Sequence, residues 1–369
     1  MTTRRGLLGG GAALTASVLA GAAPPSRWGE RDYARAMIID AQGSTGGGQR
    51  MTPEVIAAIR QAGMTAISMT VGRVGSGPGQ FRDSVAEVAR VAQMCLDHPK
   101  LLLLVRTAAD LVEAKRSGRL GLICNFQDTS PLEGDLAHVA LFRAMGVRMI
   151  QLTYNTRNLA GDGAVERADA GLSDYGRKAI AEIEAQKIVL DLSHGGARTI
   201  AEGVAAAARP MAISHTGCRA LNDVPRNVGD ATLRAMADKG GVAGIYLMPF
   251  LRASGQPRRE DLIRHIEHAL KVCGEDHVGI GTDGSLTAQR TDQVAYAAQR
   301  KFYESRATRG IAAPGEAPDV LNLIPEYTSP RRFLDIGRDL AARGHPARCI
   351  DKILGGNFAR LFGSLWPDN

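Results

Sequence analysis

The chain has 369 residues, of which 44% are hydrophobic and 22% charged, with 43 glycines and 5% aromatics. This composition excludes a disordered or collagen-like chain and supplies enough apolar residues for a sizeable core. Lys and Arg number 45 against 38 Asp and Glu, and this +7 is spread along the chain with only short pairs such as Arg258-Arg259 and Arg331-Arg332, so no nucleic-acid partner is expected.

The first segment reads as a targeting signal. Arg4-Arg5 precede a Gly/Ala/Leu run, and Ala20-Gly21-Ala22 stands before Pro24-Pro25. Residues 1–23 are therefore expected to form a cleavable twin-arginine export signal, too short and glycine-rich to span ~30 Å of hydrocarbon. The expected location is periplasmic or secreted, with no membrane association once the signal is removed. The five cysteines, Cys95, Cys124, Cys218, Cys273 and Cys349, are scattered and contain no C-x-x-C pair. They predict buried small hydrophobes, not a disulfide framework or a zinc knuckle.

Beyond the signal, short Ile/Val/Leu-rich runs alternate with amphipathic stretches, the mark of a parallel βαβ sheet. Strands are predicted at 37–42, 66–71, 101–105, 120–127, 147–154, 188–194, 211–215, 241–248 and 277–283. Helices are predicted at 83–97, 136–145, 174–186, 197–208, 230–239 and 260–272. Nine candidates for an eight-stranded barrel leave 101–105 as a short extra strand or a connector. The segment 287–327 is less regular and reads as a long insertion. No composition break divides the chain, so residues 24–369 are expected to form one α/β domain, a TIM-like (β/α)8 barrel.

Gln42, Gln127, Tyr154, His194, His215 and Asp283 all fall at the carboxyl ends of predicted strands. In such a barrel these ends converge on one mouth, where two imidazoles and a carboxylate can meet a single ion or substrate. This is the outline of a metallohydrolase. Either histidine alone would more simply bond neighbouring backbone.

Several motifs narrow the reading. They are Ile188-Val189-Leu190-Asp191-Leu192-Ser193-His194, Ile213-Ser214-His215, Pro225-Arg226-Asn227, the stretch from His277 to Gly284, and Ile353-Leu354-Gly355-Gly356-Asn357-Phe358. Their order and spacing resemble the membrane (renal) dipeptidases, from about Ile38 to Phe362. The resemblance implies a TIM-like barrel of the metal-dependent hydrolase type that cleaves dipeptides at a two-zinc centre. It further implies that His194 and His215 are metal ligands, that Arg226 binds the substrate carboxylate, and that Asp283 is the aspartate of the last strand.

Other positions depart from that pattern. The first-strand His-x-Asp ligand pair falls on Gln42 and Ser44, the bridging glutamate on Gln127, and the oxyanion-contacting histidine on Tyr154. With three carboxylates reduced to Asp283, the charge of two zinc ions is no longer offset, and the two-zinc centre is expected not to form. His194 and His215, with Asp283 or the weak donor Gln127, are expected to hold one zinc. Asp128 substitutes for Gln127 only if a bulge turns it inward, and Asp40 lies deeper than Gln42. On this reading Asp283 is the general base, Tyr154 the oxyanion donor and Arg226 the carboxylate ligand, acting on a dipeptide or a similar small amide. Two alternatives are a binding protein that has lost hydrolysis and a metal-free acid/base enzyme acting on a small carboxylate. A homodimer is left open.

Overall fold

The computed structural model describes residues 28–366 except residue 76; the export segment read from residues 1–23 lies outside them. Ten strands occur in chain order: β1 (Ile39–Ser44), β2 (Ala66–Thr70), β3 (Leu102–Leu104), β4 (Leu120–Phe126), β5 (Val147–Gln151), β6 (Val189–Asp191), β7 (Ala212–Thr216), β8 (Val242–Ile245), β9 (Val278–Ile280) and β10 (Gly284–Ser285). All named pairings are parallel, in the order β10-β1-β2-β4-β5-β6-β7-β8-β9. Gly281, Thr282 and Asp283 alone separate β9 from β10. β9 pairs with β8 through Ala243↔Val278, and β10 pairs with β1 through Gly43↔Gly284, so the last strand closes the ring of a (β/α)8 barrel.

The extra candidate at 101–105 is a strand, but it stands outside the ring. As β3 it pairs with the first half of β4 (Leu102↔Leu120), while β5 takes the second half from Cys124 onward. Several predicted strands were drawn too long, 241–248 among them, since β8 ends at Ile245. β5 stops at Gln151, β6 at Asp191 and β9 at Ile280, which leaves Tyr154, His194 and Asp283 on the loops just beyond. The insertion contains a helix, Gln293–Thr308, capped by Asp292 Oδ1 accepting from the Ala295 amide at 3.2 Å. Its apolar periodicity is weak because, among its described residues, only Gln299 is buried.

Residues two apart on a strand share a face, and here that face changes character from floor to mouth. Ala66, Ile123, Met149, Val189 and Ala212 form an apolar layer with Phe358, Phe362 and Trp366. Two residues further along each strand stand Ser68, Asn125, Gln151, Asp191 and Ser214, all buried and polar. The Gly355-Gly356-Asn357 motif belongs to the floor: Asn357 Nδ2 donates to the Glu275 and Val278 carbonyls at 2.8 and 2.7 Å. Among the described residues, no helix is long and apolar enough to cross a membrane.

Candidate metal centre and substrate cleft

β6 ends where Asp191 Oδ1 accepts the Ser193 amide at 3.1 Å, a short-range turn that carries the chain out of the sheet. His194 follows with φ 63, and Asp283, after β9, has φ 54. A left-handed backbone costs a non-glycine residue on the order of 1 kcal/mol or more, and strain of this kind gathers at functional sites. Glycines hold β7 tightly in place: a Cβ at Gly244 or Gly281 would lie 2.0 or 2.1 Å from the Ser214 carbonyl oxygen. His215 sits on β7 where its register with β8 shifts, between Ile213 and Thr216.

The two imidazoles and the carboxylate converge. One ligand atom each from His194, His215 and Asp283 lies within 4.8 Å of the others, and the two rings meet edge to face at 4.7 Å. Each ring is oriented through its Nδ1. For His194, Asn155 Nδ2 donates to the Ile311 carbonyl at 2.8 Å, which turns Asn155 Oδ1 toward His194 Nδ1 at 2.6 Å. For His215, Nδ1 lies 2.8 Å from Ser214 Oγ, whose own proton goes to Asp191 Oδ2 at 2.6 Å. Both Nδ1 atoms therefore carry the proton, and both Nε2 atoms present a lone pair. These Nε2 atoms are buried and have no hydrogen-bond partner. Burial, reinforced by Arg226, holds both histidines well below the ordinary imidazole pKa, so they are neutral and able to ligate at pH 7. Two oriented imidazoles and a carboxylate are a fitting donor set for a zinc ion with one open position.

Asp283 is pushed up to about 6 by burial, with Arg226 and Arg306 pulling the other way. Arg226 is 3% exposed; its guanidinium carbon lies 5.8 Å from the ring centroids of both Tyr246 and Phe250, and its Nη2 has no partner. Asn227 fixes the preceding turn by donating to the Asn222 and Phe250 carbonyls at 2.8 and 2.9 Å. A buried guanidinium with a bare donor beside the histidines is a receptor for an anion.

Where the first-strand ligands were expected there is a neutral hydrogen-bonded network. Gln42 Nε2 donates to Thr70 Oγ1 at 3.0 Å, its Oε1 accepts from Asn125 Nδ2 at 3.0 Å, and the same nitrogen reaches Ser68 Oγ at 2.8 Å. Ser44 pairs with Ser285 where the ring closes. Gln127 follows β4 directly and is partly exposed, and its carbonyl accepts from the Gln151 amide. Asp128 is spent on the backbone amides of Gly75 and Ser130, both at 2.9 Å. Asp40 binds the Thr282 amide and hydroxyl at 2.8 and 2.6 Å. Both carboxylates are thus committed to loop and closure contacts.

Tyr154 stacks on His194 with ring centroids 4.1 Å apart, and its hydroxyl accepts from Arg306 Nη1 at 3.2 Å. Arg306 is itself clamped by Glu316 at 2.6 and 2.7 Å and donates to the Ile311 carbonyl at 3.1 Å. Sequence reasoning missed Arg306, Glu316 and Asn155. The first two sit in the insertion read as irregular, and Asn155 adjoins Tyr154 inside a motif read only for the tyrosine.

The profile of the membrane dipeptidases (peptidase family M19) matches residues 50–294 of the sequence. The chain belongs to the membrane dipeptidase family. The resemblance carried by the five motifs is therefore borne out, as is the barrel. An amidohydrolase of known structure from Pseudomonas aeruginosa is 30% identical, with a TM-score of 0.79 over 91% of this chain and 98% of that one. A Klebsiella pneumoniae protein encoded in the pqqA 5′ region, itself uncharacterised, is 27% identical over 303 residues, 79% of this chain and 99% of its own length. An uncharacterised dipeptidase of Schizosaccharomyces pombe is 30% identical over 210 residues, and the match spans 55% of this chain and 50% of that protein. This member of the membrane dipeptidase family is a dipeptidase-like hydrolase of a metallopeptidase family.

Proposed function

We propose that the protein hydrolyses the amide bond of a dipeptide or a similar small carboxylate-bearing amide, using one zinc ion held by His194, His215 and Asp283. The observation that carries this reading is the pair of buried, unpartnered Nε2 atoms converging with a carboxylate within 4.8 Å. When bound, the ion supplies an acidified water and positive charge for the transition state. Arg226 takes the substrate carboxylate through its free donor. Asp283 accepts a proton from water as the new C–O bond forms and returns it to the leaving amine as the C–N bond breaks. Tyr154 donates its hydroxyl proton to the carbonyl oxygen as charge develops, since that hydroxyl only accepts from Arg306. A single ion is favoured because Gln42 is neutral and both of its amide atoms are already bonded. Export through residues 1–23, toward the periplasm or the medium, rests on the Arg4-Arg5 segment.

A second reading, a binding protein without hydrolysis, is favoured by the same neutral network, which preserves the cleft while removing ligands. Elemental analysis of dialysed, zinc-supplemented protein tests the metal. The expected result is about one zinc per chain, lost in His194→Ala and His215→Ala. Two zincs overturn the single-ion reading, and none overturns the metallohydrolase. One zinc without cleavage of any dipeptide in a broad panel leaves the binding protein.

A further inference from the structure

The site has more cationic character than one substrate carboxylate needs. Tyr154, which stacks on His194, forms one wall of a second space, a cleft of ≈ 460 Å³ also lined by Arg73, Arg306, Arg309, Thr156 and Ile311. No acidic side chain lines it among the described residues. An adjoining hollow of ≈ 580 Å³ shares Arg73, Arg309, Thr156 and Ile311, so the arginines border a continuous trough. The three cations are not equivalent. Arg306 is bonded to Glu316, Tyr154 and Ile311, so it fixes the wall and its charge is locally offset. Among the described residues Arg73 has one ion pair, with Asp83 at 3.6 Å, and its own side chain is 73% exposed, while Arg309 is exposed at the insertion helix's C-terminus. Their donors are available to a ligand, whereas Arg226 is buried on the histidine side with its own bare nitrogen. Against Arg226, Arg73 and Arg309 stand Asp283 and the long 3.6 Å contact of Arg73 with Asp83, so a substrate with no net charge still leaves one positive charge unmatched.

We infer that the cleft beyond Tyr154 is a specificity subsite for a second anionic group, and that the preferred substrate is a dipeptide or small amide bearing an acidic side chain on the residue away from the Arg226-bound carboxylate. The inference rests on the hydrolase reading for the scissile bond, but not for binding. A side-chain carboxylate there reaches Arg73 and Arg309 in the trough, while the scissile carbonyl stays beside Tyr154 and the histidines. An exposed arginine pair of this kind discriminates through charge-assisted hydrogen bonds, on a scale of about tenfold.

The test compares Glu-Ala with Gln-Ala, which match in size and differ in one charge. Calorimetric titration of the chelator-treated full chain reads binding without turnover, and zinc-loaded protein then reads cleavage. The expected result is about tenfold tighter binding of Glu-Ala, with the preference reduced to within about twofold in an Arg73→Gln, Arg309→Gln double variant. Both positions are exposed, so the variant is expected to fold, and its circular dichroism and thermal midpoint are checked beside the wild type. Equal affinities in the wild type, or a preference untouched by the double substitution, overturn the subsite. An arginine-dependent preference without cleavage of either compound supports the subsite and overturns the hydrolase reading. Binding of neither compound overturns both.

Discussion

Asp191 is linked to Ser214 by a 2.6 Å hydrogen bond, and through that hydroxyl it governs His215, whose Nδ1 lies 2.8 Å from the same oxygen. The carboxylate is fully enclosed. It also accepts from the amides of Ser193 and Ser214 at 3.1 and 2.9 Å and from the Ser193 hydroxyl at 3.0 Å. Burial raises its pKa, but four donors oppose that shift and suit the ionised form. The result is one fixed imidazole tautomer with Nε2 open. Partners of this kind around a metal-binding histidine are worth about 10–100-fold in metal affinity. Ser214→Ala is therefore expected to weaken zinc binding by that factor while retaining stoichiometry at saturating metal, as measured by competition with a chromophoric chelator. An unchanged affinity would show that the linkage only holds the fold.

Tyr154 stacks on the other imidazole, that of His194. Its hydroxyl accepts from Arg306, and burial raises its pKa, so it remains a proton donor across the neutral range. Tyr154→Phe keeps the stacking on His194 but loses the donor. The expected effect is a fall in kcat of about 10²–10³ with KM changed far less, the size associated with an oxyanion donor. A fall confined to KM would assign Tyr154 to substrate packing instead.

Arg306 and Glu316 form a buried pair, with side chains 11% and 3% exposed. Removing one partner strands the other charge. Arg306→Met is expected to cost about 3–5 kcal/mol in urea unfolding, and Arg306→Met with Glu316→Leu markedly less. If the single and double variants lose stability equally, the pair is not coupled and the insertion is held by other contacts.

The barrel was legible because its strands are short, apolar and regularly spaced, and because His194, His215, Asp283 and Arg226 each fall in a motif tied to a strand end. The fine geometry was less so. A periodicity of two cannot show that Asp191 ends β6 by binding its own downstream amide, or that His194 leaves the sheet with φ 63. Strand patterns therefore ran three residues too far at Tyr154, His194 and Asp283. The insertion was opaque for another reason. Its helix buries little, so apolar spacing is faint, yet Arg306 and the Ile311 carbonyl reach back to hold Tyr154 and Asn155. Long-range polar contacts of this kind leave no local trace in sequence.

The neutral network around Gln42 predicts a separation of stability from metal binding. Gln42→Ala removes one hydrogen bond each from Thr70 and from Asn125, whose Nδ2 keeps Ser68 Oγ, and each lost bond costs about 0.5–1.5 kcal/mol. Zinc content is expected to stay at the wild-type value, because His194, His215 and Asp283 are untouched. Loss of zinc alongside a normal unfolding midpoint would show that Gln42 is itself a ligand.

Asp40 and Thr282 close the ring beneath the site, and the environment of that carboxyl makes stability depend on pH. Burial pushes Asp40 up to about 7, opposed by its bonds from Thr282 and Gln42 and by the buried Arg332 nearby. An unfolded aspartate ionises near 4. A carboxyl whose folded pKa is the higher one contributes its stability fully below about pH 4, and loses it as pH rises toward 7, because the unfolded chain releases its proton first. The shift corresponds to about 4 kcal/mol at most. Asp40→Asn lacks the titration, so the wild-type advantage over that variant is expected to shrink between pH 4 and 7 and to level off above. Urea unfolding of both proteins across that range measures it. A difference that is flat, or that grows with pH, would mean that the Thr282 and Gln42 hydrogen bonds and Arg332 outweigh burial and keep Asp40 ionised throughout.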